Sequence, residues 1–192
     1  MELWSRSTSR SCTPGWSSTF ERVIVRDARP RDIDAVARIK VANWAESYGE
    51  LVPRQTLQRF LDLDAQRAEL LRKQSGEHTV LLVAEDEGVD HRIAGFALAF
   101  LDERPDPWLE SLHVAHDARG HGVGTLLMRE LARRFAARGF NTMRLGVVTG
   151  NDGAGRLYRR LGAQLIGEEP AHWAAGVTHE IYRWADLGSL TG

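Results

Sequence analysis

The chain has 192 residues, 43% of them hydrophobic, enough for one well-filled α/β domain. Its formal net charge is −1 and its pI about 6.7; arginines are spread among aspartates and glutamates, which argues against the footprint of a nucleic-acid binder. A single cysteine, Cys12, excludes an internal disulfide and suits a reducing compartment, and the longest apolar runs are strand-length, so no membrane span is expected.

Residues 1–19 are rich in serine and threonine, poor in acids and broken by Pro14-Gly15. A disordered or loosely attached tail is expected there, ahead of one domain over 20–192. Arg6 and Arg10 leave an organelle transit peptide open, and an upstream start or an appended segment equally so; the apolar core of a secretory signal is missing. Trp4 and Trp16 are unusual for a pure linker and leave docking on the domain or on a partner open.

Val23 to Arg26 reads as a first strand. Pro30 sets up a helix whose apolar positions Ile33, Val36, Ala37, Val41 and Trp44 keep helical spacing until Gly49 and Pro53 break it. One further helix is expected from about Gln55 to Gln74, stopped by Ser75-Gly76. Val80–Ala84 and Ile93–Leu101 read as paired strands around a turn that begins at Asp86-Glu87-Gly88. An acidic, proline-marked loop from Asp102 to Pro107 leads into a strand over Trp108–Val114. A long helix capped by Gly139 follows, then a strand over Met143–Val148 and a short helix from Asn151 to Leu161 that Gly162 stops. Leu165-Ile166 and His179–Trp184 close the sheet. Strands and helices do not alternate strictly, so a mixed sheet flanked by helices is expected rather than a doubly wound parallel one.

The most informative segment is Arg119-Gly120-His121-Gly122-Val123-Gly124, which runs straight into an amphipathic stretch with Val123, Leu127, Leu131 and Phe135 at helical spacing. Glycines there leave backbone N–H groups uncovered at a helix N-terminus, where unpaired donors and the helix dipole favour a phosphate. Arg119 adds a fixed positive charge at the mouth of the loop. The dinucleotide fingerprint fails, because its third glycine would fall on Thr125 or Leu127. The Walker A loop fails for want of Gly-Lys-Ser/Thr.

What fits is R-x-x-G-x-G, met by Arg119, Gly122 and Gly124 after a strand carrying Leu112-His113-Val114. This segment resembles the acetyl-CoA-binding motif of the GNAT acetyltransferases. Asn151, Ala154, Leu157, Tyr158, Leu161 and Gly162 resemble the family's later motif, N-x-x-A-x-x-L-Y followed by Leu-Gly. The likeness spans about Val23 to Trp184. It implies a mostly antiparallel central sheet flanked by helices, the acyl-CoA N-acyltransferase fold. It also implies transfer of an acetyl group from acetyl-CoA to a primary amine of a small molecule or peptide, by direct attack through a tetrahedral intermediate.

The resemblance assigns residues as well. Gly120, His121, Gly122, Val123 and Gly124 would cradle the pyrophosphate, with Arg119 beside them. Backbone N–H groups near Leu112, His113 and Val114 would serve the thioester, if the strand splays from its neighbour. Tyr158 falls at the family's general-acid position; by spacing alone it is equally a core aromatic on the stripe of Ala154, Leu157 and Leu161. Asn151 falls where the family contacts the pantetheine arm and also reads as a helix N-cap, and Ala154 is assigned to cofactor binding with it. Glu110 is the candidate base, alternating onto one sheet face with Leu112 and Val114, against a plain reading as a water-facing edge residue. His113 on the opposite face is its competitor, and water a third possibility. Glu46 and Tyr48 are expected to line the acceptor pocket, and Trp44 fits either the core or that pocket. Glu46, Glu50, Asp102, Glu103, Asp106 and Glu110 would border the acceptor and suit a cationic substrate. His113, His116 and His121 match no zinc spacing, so no metal is expected. A cytoplasmic enzyme is expected, without nucleic-acid or membrane partners, and with a homodimer open. The competing readings are a non-catalytic acyl-CoA sensor or interaction module, which would need the glycine loop but neither Tyr158 nor Glu110, and a protein N-terminal acetyltransferase.

Overall fold

The computed structural model describes residues 22–88, 90–101 and 106–191. The expected tail, and Asp102 and Glu103 of the acidic loop, lie outside the described residues. Seven strands run in chain order: β1 (Val23–Asp27), β2 (Thr79–Asp86), β3 (Arg92–Phe100), β4 (Trp108–Val114), β5 (Met143–Val148), β6 (Gln164–Pro170) and β7 (Thr178–Trp184). They form one sheet in the order β1-β2-β3-β4-β5-β7-β6. β4 and β5 are parallel, and every other neighbouring pair is antiparallel. The mixed, mostly antiparallel sheet is therefore present. The helices are α1 (Ile33–Ser47), α2 (Arg54–Leu61), α3 (Leu63–Gln74), α4 (Val123–Ala136), α5 (Asp152–Arg160) and the single turn α6 (Gly188–Thr191).

Both sheet faces are covered, which is why β2 and β3 read as unbroken apolar runs. Leu81, Val83, Phe96 and Leu98 pack with Ile33, Val36 and Ala37 of α1 and Leu70 of α3. Their alternating neighbours Leu82, Ala84, Ala97 and Ala99 pack with Leu127, Leu131 and Phe135 of α4.

Two elements differ from their expected form. The helix expected over 55–74 is two helices broken at Asp62, whose ψ is 104°. The Asp62 carboxylate accepts a hydrogen bond from the Ala65 N–H at 3.0 Å. An aspartate that caps a new helix competes with continuing the old one. The second difference is a bulge in β4. Ser111 pairs with Leu98 but Leu109 pairs with Ala99, leaving Glu110 as the extra residue.

Candidate active site

The bulge changes where Glu110 points. Strict alternation would put it on one face with Leu112 and Val114. Instead Leu109, Leu112 and Val114 all join the core beneath α4, while Glu110 reaches Lys73 of α3 at 3.3 Å and Trp108 Nε1 at 3.2 Å. One inserted residue reverses the parity of everything before it. Glu110 and His113 therefore share the α1–α3 face, contrary to the sequence expectation.

β4 also parts from β5. The two pair only at Trp108↔Arg144 and Leu109↔Leu145, whereas β4 stays paired with β3 to Val114. The Ala115 N–H bonds Ala94 O at 2.8 Å, so alternation turns His113 toward β3 and turns the N–H groups of Leu112 and Val114 into the gap. Two cavities meet at that gap. One, of about 570 Å³, is lined by Leu112, His113 and Val114, by Arg119, Gly120, Gly122, Val123, Gly124 and Thr125, and by Asn151, Ala154, Leu157 and Tyr158. The other, of about 910 Å³, lies among α1, α2, α3 and β7. Trp44, Tyr48, Glu110, Ser111 and Gly146 line both.

The first cavity suits a phosphate-bearing chain at its mouth. Gly120 and Gly122 have φ of +79° and +81°, with no heavy atom within 4 Å of where a Cβ would stand. Left-handed backbone facing open space keeps the loop's donors uncovered. The first turn of α4 precedes the Leu126 N–H to Gly122 O bond of 3.0 Å, so its donors lie at the cavity mouth. His121 Nδ1 donates to Arg119 O at 2.9 Å, which holds its ring against the loop backbone.

Arg119 is held elsewhere. Its guanidinium bonds Glu46 at 2.9 and 2.7 Å and Asn43 Oδ1 at 2.7 Å. Asn43 Nδ2 in turn donates to Val114 O at 3.0 Å and to His113 Nδ1 at 3.3 Å. Arg119 thus ties the glycine loop to α1 and to the end of β4. Glu46 has this partner, and His116 at 3.2 Å, instead of lining either cavity; the Arg119 guanidinium holds its carboxyl below the usual range. Glu50 lines neither cavity. Asp106 is buried beneath Arg183 (2.8 Å) and Thr142. Of the described acids expected at the acceptor site, Glu110 is the one on a cavity wall.

Tyr158 is 7% exposed and packs edge-on to Trp184 at 5.9 Å. Its ring is core, as the spacing allowed, and the residue also lines the first cavity. Burial pushes its phenol above the ordinary range, so it stays protonated and able to donate. Asn151 caps α5 through the Ala154 N–H (3.2 Å) and turns its amide nitrogen to the Tyr48 hydroxyl at 3.4 Å. Burial drives the His113 imidazole down to about 3, with Lys40 and Arg119 pushing the same way. An imidazole held that far below neutral is too weak a base to take a proton from an ammonium at neutral pH.

Apart from Trp44 and Tyr48, sequence reasoning missed the second cavity's furnishings. Trp44 stacks on Phe60 at 3.9 Å, and Trp173 meets both edge-on at 5.4 and 5.2 Å. His179 of β7 lies against Gly146, where a Cβ would stand 2.9 Å from its Nδ1. Lys40 and Gln66 sit in the same wall. Their signal was a charged and a polar residue on the inward stripes of α1 and α3.

Comparison with known proteins agrees with this architecture. Residues 38–163 match the model of the acetyltransferase (GNAT) family. The chain is 27% identical over 175 residues to an L-methionine sulfoximine/L-methionine sulfone acetyltransferase of Pseudomonas aeruginosa, covering 85% of this chain and 90% of that one. It is 24% identical over 170 residues to an uncharacterized N-acetyltransferase of Bacillus subtilis, covering 88% and 96%. Among solved structures, the PaiA N-acetyltransferase of Thermoplasma acidophilum in complex with coenzyme A superposes with a TM-score of 0.68 at 16% identity, covering 84% of this chain and 98% of that one. A GCN5-related N-acetyltransferase of Kribbella flavida gives 0.63 at 26% identity, covering 84% and 96%. The chain belongs to the GNAT acetyltransferase family. It is an acetyl-CoA-dependent N-acetyltransferase, with acetyl-CoA as co-substrate.

Proposed function

We propose that the protein acetylates the primary amine of a small molecule by direct transfer across the gap between β4 and β5. The observation that carries this reading is the meeting of two cavities at that gap, with Glu110, Ser111 and Gly146 in both walls. The glycine loop and the first turn of α4 would hold the pyrophosphate of acetyl-CoA. The Leu112 and Val114 N–H groups would donate to the thioester carbonyl oxygen as it gains charge. Glu110 would take the proton from the acceptor's ammonium, and the Tyr158 hydroxyl would give one to the leaving thiolate. The aromatic cluster of Trp44, Phe60 and Trp173 walls the second cavity and favours a compact acceptor over an extended peptide. The Pseudomonas relative is named for L-methionine sulfoximine and L-methionine sulfone, which supports the same choice. Among the described residues no helix is long and apolar enough to cross a membrane; a cytoplasmic location fits that finding and the single cysteine.

The test is an acceptor screen that reads thiol release from acetyl-CoA and identifies the product by mass spectrometry. N-acetylation of small amines is expected. Acetylation confined to peptide N-termini would favour the N-terminal acetyltransferase. Tight coenzyme A binding with no turnover on any amine would favour the non-catalytic binder.

A further inference from the structure

We propose that the acceptor carries a carboxylate besides its amine, and that Lys40 in the wall of the second cavity is the seat of that carboxylate. The proposal rests on the N-acetyltransferase reading for the amine, but the anion subsite is a separate feature of the wall. Lys40 lies on the inward stripe of α1, 4% exposed, and lines the cavity. Among the described residues its ammonium has no hydrogen bond and no carboxylate within ion-pair distance. The two acids that act on it from nearby are Glu69 and Glu110. Both already bond Lys73, at 2.6 and 3.3 Å. Lys40 is thus the cation of this group left without a direct partner.

A buried ammonium without an anion is costly, and the protein holds this one beside a cavity rather than inside packed side chains. Burial pushes Lys40 below the ordinary lysine range, the mark of a group that gains from an incoming anion. A second orphan stands in the same wall. Gln66 is 3% exposed; its Nε2 donates to Arg59 O at 3.3 Å, while its Oε1 has no donor. An acceptor that offers a carboxylate to Lys40 and an N–H or O–H to Gln66 would satisfy both. Arg59 and Arg72 also line this cavity and reinforce the preference for an anion. Glu110, on the gap side, is left to face the amine. The wall therefore suits an amine and a carboxylate on one compact molecule, with its apolar part against Trp44, Phe60 and Trp173.

Two probes without an amine test the subsite independently of turnover: 3-phenylpropanoate and its neutral amide, titrated at neutral pH against the intrinsic tryptophan fluorescence of the coenzyme A-bound protein. The carboxylate should bind roughly ten-fold or more tightly than the amide. Lys40→Met should erase the difference, chiefly by weakening the carboxylate. Lys40→Gln serves if the methionine variant does not fold. Equal affinity of the two probes for the wild type, no binding of either at millimolar concentration, or a preference that survives loss of the Lys40 charge would overturn the proposal. The carboxylate preference without transfer to any amine would leave the subsite standing and remove the enzymatic reading of the acceptor. Transfer to neutral and carboxylated amines alike, with equal probe affinities, would do the reverse.

Discussion

Tyr158 stands in two places at once: the ring is packed into the core against Trp184, and the residue borders the first cavity. Loss of the hydroxyl alone leaves the packing in place. Tyr158→Phe should therefore lower kcat by roughly 10²-fold or more with the affinity for acetyl-CoA nearly unchanged. Steady-state kinetics beside coenzyme A calorimetry checks this, and an unchanged kcat under rate-limiting chemistry would return Tyr158 to a packing role. His113 gives a second prediction. Its folded pKa lies near 3, below the unfolded value of about 6.5. Its ring resonances should stay still in an NMR titration from pH 8 to pH 5, and the unfolded chain alone binds that proton, so the contribution of His113 to stability falls as pH drops through this window. A ring titrating near 6.5 would reopen it as the base. The identity of both residues was legible in the sequence, because a motif places Tyr158 and a strand places His113. The face on which Glu110 lies was not, because a bulge is set by pairing with β3, which no local pattern reports.

At the scale of elements, the glycine loop and α4 were the most legible part of the chain. Glycine at Gly122 is required by its φ of +81°, and the open space beside it belongs to the cavity mouth. Gly122→Val would force a β-branched residue into left-handed backbone and fill that space. Calorimetry should show coenzyme A binding weakened roughly ten-fold or more, beyond any drop in melting temperature. Unchanged affinity in the folded variant would contradict the phosphate assignment. The pairing of Arg119 was not legible, since its partners Asn43 and Glu46 lie more than seventy residues away. The break at Asp62 was missed for the opposite reason. Its signal is local, a capping aspartate, but the apolar spacing runs through it. The splay of β4 from β5 is a property of two strands together, so only the resemblance to a family anticipated it.

Across the whole molecule, Arg26 of β1 joins elements that are distant in sequence. It bonds Asp32 at 2.6 Å, before α1, and Glu85 of β2, with all three side chains largely buried. Burial pushes Asp32 up, but hydrogen bonds from Arg26 and the Arg29 N–H outweigh it and hold its carboxyl below the usual range. The Arg26 hydrogen bond does the same for Glu85. Folded values below unfolded ones give stability that is present above the unfolded pKa values, about 4, and lost as pH falls through the folded ones. The urea midpoint should therefore drop as pH is lowered below about 4. Arg26→Met, which leaves Asp32 only the Arg29 N–H and Glu85 only His91 as partners, should cost roughly 3 kcal/mol at neutral pH and flatten that acid limb. A variant as stable as the wild type at pH 7 would sink this account of the network.

The central claim is that donor and acceptor occupy two cavities at once and that the acetyl group crosses directly where they join. Initial velocities measured over a grid of acetyl-CoA and acceptor concentrations test it most directly. The two-cavity geometry predicts double-reciprocal lines that intersect, the pattern of a ternary complex. Parallel lines, the mark of an acetylated enzyme formed before the acceptor binds, would contradict it.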